Sequence, residues 1–121
     1  MKKLIIDLDN TITIHNNELS YEEMKPNLEV ILSMKKYHSL GYKITIFTAR
    51  NMRTYTEDIN KIKKYTLPKI IEWLGRYNIP YDDIIVGKVW CDQGFYVDDK
   101  AIRPSEFINL SEKEILKIIN E

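Results

Sequence analysis

Two aspartates near the start of the chain, Asp7 and Asp9, have the residue type and spacing that most directly suggest chemistry. They follow the short apolar run Leu4-Ile5-Ile6, which is typical of a buried parallel strand. Residues two apart in a strand project from the same face, so both carboxylates are expected on one side. Two acids beside a core are costly unless a positive group compensates them, and a divalent cation or a metal-bound phosphate commonly does so. The pair therefore points to phosphoryl chemistry.

Polar residues follow the other apolar runs as well, at positions that would bring them to one edge of a sheet. The apolar runs predict strands at Leu4–Leu8, Ile44–Phe47, Ile84–Val86 and Phe95–Val97. The residues at or just after their ends are Asp7 and Asp9, Thr48-Ala49-Arg50, Gly87-Lys88, and Asp98-Asp99. Ligands of open parallel sheets bind beyond the carboxyl ends of the strands. The set contains the groups needed to cleave a phosphate ester through an aspartyl-phosphate: a nucleophile, a proton shuttle, a hydroxyl, a cation and metal-binding acids.

The segments between these runs define the fold class. Helices are predicted over Asn27–Leu40 and Thr66–Tyr77, and Ser111–Glu114 fits a capping box before a third helix. Strands alternating with helices predict an α/β fold: a Rossmann-like, doubly wound parallel sheet with helices on both faces. The polar stretch Ile12–Lys25 is interpreted as a flap over the two aspartates. The long basic stretch Asn51–Tyr65 is a candidate lid.

Composition narrows the class of protein. The chain has 121 residues, so a single domain spanning 1–121 is expected. Its formal net charge is zero, which favours neither nucleic acid nor an anionic membrane as a partner. With Cys91 alone, no internal disulfide can form, and a reducing compartment is expected. Neither a signal peptide nor an apolar run of membrane-spanning length is recognisable, so we predict a soluble cytoplasmic protein.

These motifs resemble the haloacid dehalogenase superfamily of phosphotransferases. The sequence Asp7-Leu8-Asp9-Asn10-Thr11 is similar to the first motif of that superfamily, and the second, third and fourth are matched by Thr48, Lys88 and Asp98-Asp99. The resemblance covers essentially the whole chain. More narrowly, the chain resembles small bacterial phosphatases of capsule or polysaccharide biosynthesis. That narrower likeness rests on residues 48–55, 86–91 and 95–104.

The resemblance implies a role for each catalytic residue. Asp7 would be the nucleophile that forms the aspartyl-phosphate. Asp9 would protonate the leaving alcohol and then accept a proton from the hydrolytic water. Thr48 would donate a hydrogen bond to a phosphoryl oxygen, and Lys88 would neutralise charge on the nucleophile and on the transferring group.

The resemblance also implies Mg²⁺ as the cofactor. Its ligands would be the carboxylates of Asp7 and Asp98 and the backbone carbonyl of Asp9, because Mg²⁺ prefers hard oxygen ligands. Asp99 would orient a water or pair with Lys88.

Substrate-binding candidates surround the same motifs: Asn10, Thr11, Arg50, Asn51 and Arg53. For Arg50 two roles are equally favoured, binding the non-reacting part of the substrate or tying loops together. The resemblance favours a phosphorylated sugar or a related intermediate of surface-polysaccharide synthesis. Neither interval between the first three motifs has room for a large cap domain, so the site is expected to be open, or closed by residues 51–65 or by a second subunit of a homo-oligomer.

Three alternatives remain at the level of sequence. A phosphotransferase or mutase would share the aspartyl-phosphate and differ only in the acceptor. A receiver-type signalling domain needs its phosphoacceptor aspartate at the end of the middle strand, where this chain has Thr48-Ala49-Arg50. A non-catalytic phosphate-binding module would not need the full set of catalytic residues that is present.

Overall fold

The computed structural model describes residues 1–120. The chain forms two compact units, Met1–Trp90 and Cys91–Glu121. Within residues 1–120 the strands are β1 (Lys3–Ile6), β2 (Thr13–Ile14), β3 (Lys25–Pro26), β4 (Lys43–Thr48) and β5 (Asp83–Val86). The helices are α1 (Leu28–Ser39), α2 (Ile59–Lys61), α3 (Leu67–Arg76), α4 (Pro104–Asn109) and α5 (Glu112–Ile119). A single domain over residues 1–121 stays a prediction.

A parallel sheet in the order β1-β4-β5 forms the centre of the first unit. Ile6 lies beside Ile46, which lies beside Ile84, so the three strands end at a common edge. Parallel neighbours need crossover connections, and these contain α1 before β4 and α2 and α3 before β5. The predicted α/β class, with a Rossmann-like parallel sheet flanked by helices, is confirmed. The first three predicted strands correspond to β1, β4 and β5, and their predicted bounds agree within two residues at each end.

The two long helices of this unit begin where local signals place them. The side chain of Asn27 accepts a hydrogen bond from the N–H of Val30 and so caps α1. In α3, Pro68 occupies the first turn. Both helices bury an apolar face: Val30, Ile31, Met34 and Tyr37 in α1, and Ile70, Trp73 and Leu74 in α3. Among residues 1–120, no helix combines the length and the apolar character needed to cross a membrane.

The stretch Asn51–Tyr65 has more structure than its sequence pattern suggests. Tight turns are followed by α2, which Asp58 caps by accepting a hydrogen bond from the N–H of Lys61. A π-helical stretch, Ile62–Thr66, then connects α2 to α3 without a break. Short π-helical insertions of this kind are frequent beside functional sites.

The second unit contains α4 and α5. Ser111 forms the predicted capping box with Glu114 at the start of α5. The prediction of a strand at Phe95–Val97 is wrong: the segment has no strand pairing, and Phe95 and Val97 are 83% and 88% exposed. Apolar composition favours a strand, but a strand forms only where a neighbour accepts its backbone hydrogen bonds. The parallel sheet of the described residues therefore has three strands rather than four.

Candidate active site

Asp7 lies just beyond the end of β1, half-buried between the buried residues Ile6 and Leu8. Its Oδ1 atom is 3.7 Å from Nζ of Lys88, and its Oδ2 atom accepts a hydrogen bond of 3.4 Å from the hydroxyl of Thr11. Burial raises the pKa of the Asp7 carboxyl, whereas the Lys88 ammonium opposes this rise. The result is a partly desolvated carboxylate with a cation on one oxygen and a hydroxyl on the other.

A tight turn after β1 brings Thr11 back towards the strand end. The carbonyl of Leu8 accepts hydrogen bonds from the N–H groups of Thr11, Ile12 and Thr13 at 3.3, 2.9 and 3.1 Å. Asn10 has a φ of +57°, a conformation that asparagine tolerates better than most residues. Its N–H donates to the Thr13 hydroxyl at 3.0 Å. Leu8 and Ile12 are fully buried and anchor the turn, so the placement of Thr11 depends on the core.

Asp9 has a different cation as its partner. Nε of Arg50 lies 3.2 and 3.1 Å from the two carboxylate oxygens of Asp9, and Nη2 lies 2.6 Å from Oδ1. The Arg50 side chain is 3% exposed and that of Asp9 is 32% exposed. The face of the guanidinium lies 4.2 Å from the centre of the Tyr21 ring. These contacts are the ones expected if Arg50 ties loops together, because they join the loop after β4 to the turn after β1 and to the 12–25 segment.

Thr48 and Lys88 are linked through the backbone at the ends of β4 and β5. The buried Thr48 hydroxyl accepts a hydrogen bond of 3.0 Å from the N–H of Arg50. The carbonyl of Thr48 accepts one of 3.1 Å from the N–H of Lys88. Gly87 has a φ of +91°, where a side chain would be strained, and this turn lets Lys88 leave the strand direction. The structure thus brings Asp7, Thr48 and Lys88 to the same edge of the sheet.

The other predicted substrate-binding residues lie on the loops around this edge. Asn51 uses its amide within its own segment, donating to Thr54 and accepting from Thr66 at 3.1 and 2.7 Å. Arg53 is exposed, and its guanidinium lies 5.4 Å from the centre of the Trp90 ring. Asn10 is exposed at the turn described above.

The fourth motif belongs to the second unit. Asp98 and Asp99 are exposed, and Oδ1 of Asp98 accepts a hydrogen bond of 2.9 Å from the N–H of Lys100. Within residues 1–120, no three histidine, cysteine, aspartate or glutamate side chains are grouped so that they could hold a metal ion. The ligand set predicted for Mg²⁺ needs only two side-chain carboxylates and one carbonyl, and Mg²⁺ usually retains several waters. Asp7 and Asp9 belong to the first unit and Asp98 to the second, so this Mg²⁺ ligand set stays a prediction.

The stretch Ile12–Lys25, interpreted as a flap, contains a small hairpin in which β2 pairs with β3. Its connection to α3 is specific: the indole N–H of Trp73 donates to the Met24 carbonyl at 3.0 Å, and Arg76 donates to the Glu22 carbonyl at 3.0 Å. A salt bridge of 3.3 Å joins Lys69 to Glu22. The segment from Thr13 to Pro26 is therefore fastened to α3, and it places Tyr21 against Arg50.

A cavity of about 140 Å³ lies between this segment and residues 51–69. It is lined by Tyr21, Glu22, Arg50, Asn51, Tyr55, Tyr65, Thr66 and Lys69. Burial and then the nearby Asp9 carboxylate raise the pKa of the Tyr21 hydroxyl. Four of these residues were not predicted as site residues from the sequence: Tyr21, Tyr55, Tyr65 and Lys69. They are close together in the fold, but their spacing in the chain follows no recognisable pattern.

Comparisons with known proteins identify three solved structures that are similar to this chain. Neither a protein-family model nor a curated protein matches the chain. A crystal structure of a structural-genomics target from Vibrio cholerae is 50% identical, with a TM-score of 0.95, and the match covers 99% of this chain and 98% of that one. Two structures of the Pnkp1/Rnl/Hen1 complex, one described as an RNA repair complex, match at 22% and 24% identity with TM-scores of 0.53 and 0.51.

Those two matches cover 91% and 93% of this chain but only 35% and 33% of the other chains, so this chain spans about a third of their length. At this identity the likeness shows a shared fold. The match to the bacterial target is of a different kind, because half of the residues are identical over nearly the full length of both chains. The chain belongs to the same family as this Vibrio cholerae protein.

Proposed function

We propose that the chain is a Mg²⁺-dependent phosphomonoester hydrolase of the haloacid dehalogenase superfamily, with Asp7 as its nucleophile. The observation that carries this proposal is the environment of Asp7 at the carboxyl edge of a parallel sheet. One carboxylate oxygen faces the Lys88 ammonium at 3.7 Å and the other faces the Thr11 hydroxyl at 3.4 Å. A carboxylate that is partly stripped of water and oriented by neighbours is suited to nucleophilic catalysis.

In the first step, a carboxylate oxygen of Asp7 attacks the phosphorus. The bond between phosphorus and the ester oxygen breaks, and the leaving oxygen takes the proton that the Asp9 carboxyl must carry at the start of the cycle. Thr48 supports this step because a hydroxyl that accepts a hydrogen bond through its oxygen can still donate its proton, here to a phosphoryl oxygen. Lys88 reduces the repulsion between the Asp7 carboxylate and the anionic substrate.

In the second step, a water molecule attacks the phosphorus of the aspartyl-phosphate. Asp9 accepts the proton of the water, the bond between phosphorus and Asp7 breaks, and inorganic phosphate leaves. The bidentate contact with Arg50 fixes the plane of the Asp9 carboxylate. Arg50 is thus proposed as a positioning residue for the proton shuttle.

The sequence resemblance assigns Mg²⁺ to the carboxylates of Asp7 and Asp98 and the backbone carbonyl of Asp9, with Asp99 orienting a water. When bound, it supplies positive charge that offsets the charge of the phosphoryl group. The pairing of Asp98 with the N–H of Lys100 holds that carboxylate in a defined turn.

A phosphorylated small molecule, specifically a sugar phosphate of surface-polysaccharide synthesis, is the proposed substrate, in a cytoplasmic setting. The narrower sequence resemblance supports it. The RNA repair assembly of the two more distant structures makes a phosphorylated RNA end the second substrate class to test. The formal net charge of zero favours the small molecule, because binding a nucleic-acid backbone depends on clustered positive charge.

The test is phosphate release from sugar phosphates, a phosphorylated oligoribonucleotide and an aryl phosphate, with and without Mg²⁺. We expect Mg²⁺-dependent turnover that falls by about 10³-fold or more in Asp7→Asn, since a nucleophile acts with its partners as a unit. Asp83→Asn is the matched control, because Asp83 is exposed at the opposite end of β5. Full activity in Asp7→Asn contradicts the proposal.

Alternative acceptors are tested in the same assay. Release of phosphate to water favours the hydrolase, whereas turnover only after an alcohol is added favours the phosphotransferase or mutase. A folded wild-type protein that binds Mg²⁺ but turns over no phosphate ester in either case contradicts catalysis.

A further inference from the structure

The cavity between Tyr21 and residues 51–69 has the volume of one small ring. Its volume of about 140 Å³ is close to that of an engineered protein cavity of about 150 Å³ that holds a benzene molecule. A six-membered ring, such as that of a monosaccharide, is of this order of size. The cavity therefore suits a single six-membered ring.

Aromatic side chains form part of the cavity wall. The rings of Tyr55 and Tyr65 have their centres 6.0 Å apart and are tilted by 36°. Tyr21 packs its ring on the guanidinium of Arg50. Tyrosine combines an apolar ring face with a hydroxyl, so such a wall can pack against C–H groups and hydrogen-bond to hydroxyls of the same ligand.

The charged groups on the wall already have partners of opposite sign. Glu22 pairs with Lys69 at 3.3 Å, and Arg50 pairs with Asp9. The wall therefore offers a carboxylate and an ammonium side by side with little net charge. A ligand hydroxyl can donate a hydrogen bond to the Glu22 carboxylate and accept one from the Lys69 ammonium. This arrangement therefore favours a neutral ligand rich in hydroxyls over a ligand with a second anionic group.

Arg50 connects the cavity to the reaction centre. Arg50 lines the cavity, and its guanidinium holds the carboxylate of Asp9. A ring bound in the cavity would lie one side chain away from the group that is proposed to protonate the leaving oxygen. The alcohol part of a phosphate monoester has to lie near that group.

We propose that this cavity, which we name the ring subsite and define by Tyr21, Glu22, Tyr55, Tyr65 and Lys69, binds the alcohol part of the substrate as a single, neutral, polyhydroxylated ring. The proposal rests on the proposed hydrolase function and adds the residues that select the substrate. Asp7, Thr48 and Lys88 act on the phosphoryl group, and the ring subsite discriminates between leaving groups.

The test compares a ring substrate with a substrate that lacks a ring. kcat/KM is measured for a set of hexose phosphates and for acetyl phosphate in wild type, Tyr65→Ala and Lys69→Met. We expect the variants to lose about tenfold or more on the best hexose phosphate, the size of loss that one missing substrate contact produces, and to keep wild-type values on acetyl phosphate. Lys63→Met is the control for charge removal, because Lys63 is exposed in the same helical stretch and outside the lining.

The variants are expected to fold. Both Lys69 and Tyr65 have largely exposed side chains, so their removal leaves no buried group without a partner. Tyr65→Phe separates the ring from its hydroxyl: retention of hexose phosphate activity assigns the contact to the ring face, and a loss equal to that of Tyr65→Ala assigns it to the hydroxyl. Either result supports the subsite.

Failure of the subsite differs from failure of the hydrolase function. One outcome is that wild type hydrolyses hexose phosphates and acetyl phosphate while the variants lower kcat/KM equally for both substrates, or for neither. In that case the ring subsite is wrong and the hydrolase function stands. A preference for nucleoside monophosphates over hexose phosphates also contradicts it. If wild type hydrolyses nothing, the hydrolase is wrong, and calorimetric binding of the same hexose phosphates decides the subsite: weaker binding by Tyr65→Ala supports it, and equal or no binding contradicts it.

Discussion

Removing the charge of Asp9 is expected to destabilise the fold more than removing the charge of Arg50. The reason is the unequal burial of the two partners, since the Arg50 side chain is 3% exposed and the Asp9 side chain is 32% exposed. Asp9→Asn leaves a buried guanidinium without a counter-charge. Arg50→Met leaves a carboxylate that water still reaches, and methionine fills much of the vacated volume.

The magnitude follows from the same burial. Breaking a fully buried ion pair by removing one partner costs about 3–5 kcal/mol. Asp9 is one-third exposed and asparagine keeps one acceptor oxygen, so about 2–3 kcal/mol is expected for Asp9→Asn and about 1 kcal/mol for Arg50→Met. For a domain of this size, the larger loss lowers Tm by about 6–12 °C. In the double variant the loss of unfolding free energy is expected to be close to that of Arg50→Met alone. The reason is that no buried guanidinium is left without a counter-charge.

Urea unfolding followed by tryptophan fluorescence measures these differences, since Trp73 is buried in the first unit. All four members of the double-mutant cycle are compared under the same conditions. The expected order is wrong if the unfolding free energy of Asp9→Asn equals that of wild type, or if Arg50→Met is the more damaging change. Strictly additive effects would show that the pair has no energetic coupling.

The remaining predictions concern the phosphoryl end of the site. Lys88→Met is expected to lower kcat by about 10²–10³-fold by removing the charge beside Asp7, while Lys61→Met, an exposed control, leaves it unchanged. Gly87→Ala is expected to lower the unfolding free energy by about 1–2 kcal/mol, measured in urea, because alanine is strained at a φ of +91°. Chelation of Mg²⁺ should abolish turnover reversibly. The Mg²⁺ concentration for half-maximal activity should rise as the pH falls through the raised pKa of Asp7, because protons compete with the metal for that carboxylate, and metal titrations at a series of pH values check this.

The elements that sequence predicted well are those with local signals. Asn27, Pro68 and Ser111 each sit at a helix start, where capping depends on residues three positions away. The strands β1, β4 and β5 are apolar runs flanked by polar residues, and their carboxyl ends carry the predicted Asp7, Thr48 and Lys88.

The features that sequence could not predict depend on partners that are distant in the chain. Phe95–Val97 has strand-like composition but no paired neighbour. The contact between Asp9 and Arg50 joins residues 41 positions apart, and no periodic pattern in the sequence indicates such a contact. The cavity is lined by Tyr21 of the flap segment together with Tyr55 and Tyr65, which lie more than 30 positions later in the chain. Sequence patterns therefore placed the candidate residues Asp7, Thr48 and Lys88 at one edge of the sheet, and the structure added contacts between side chains that are distant in the chain.

Phosphorylation of Asp7 can be detected by trapping the aspartyl-phosphate chemically. Wild type in the presence of Mg²⁺ and its best substrate is quenched and treated with borohydride, which reduces an acyl phosphate to the alcohol. Peptide mass spectrometry then reads position 7. Homoserine is expected at position 7 in wild type only when substrate is present, and none is expected in Asp7→Asn. Full turnover with position 7 unmodified, or with the modification at another carboxylate, is incompatible with Asp7 as the nucleophile.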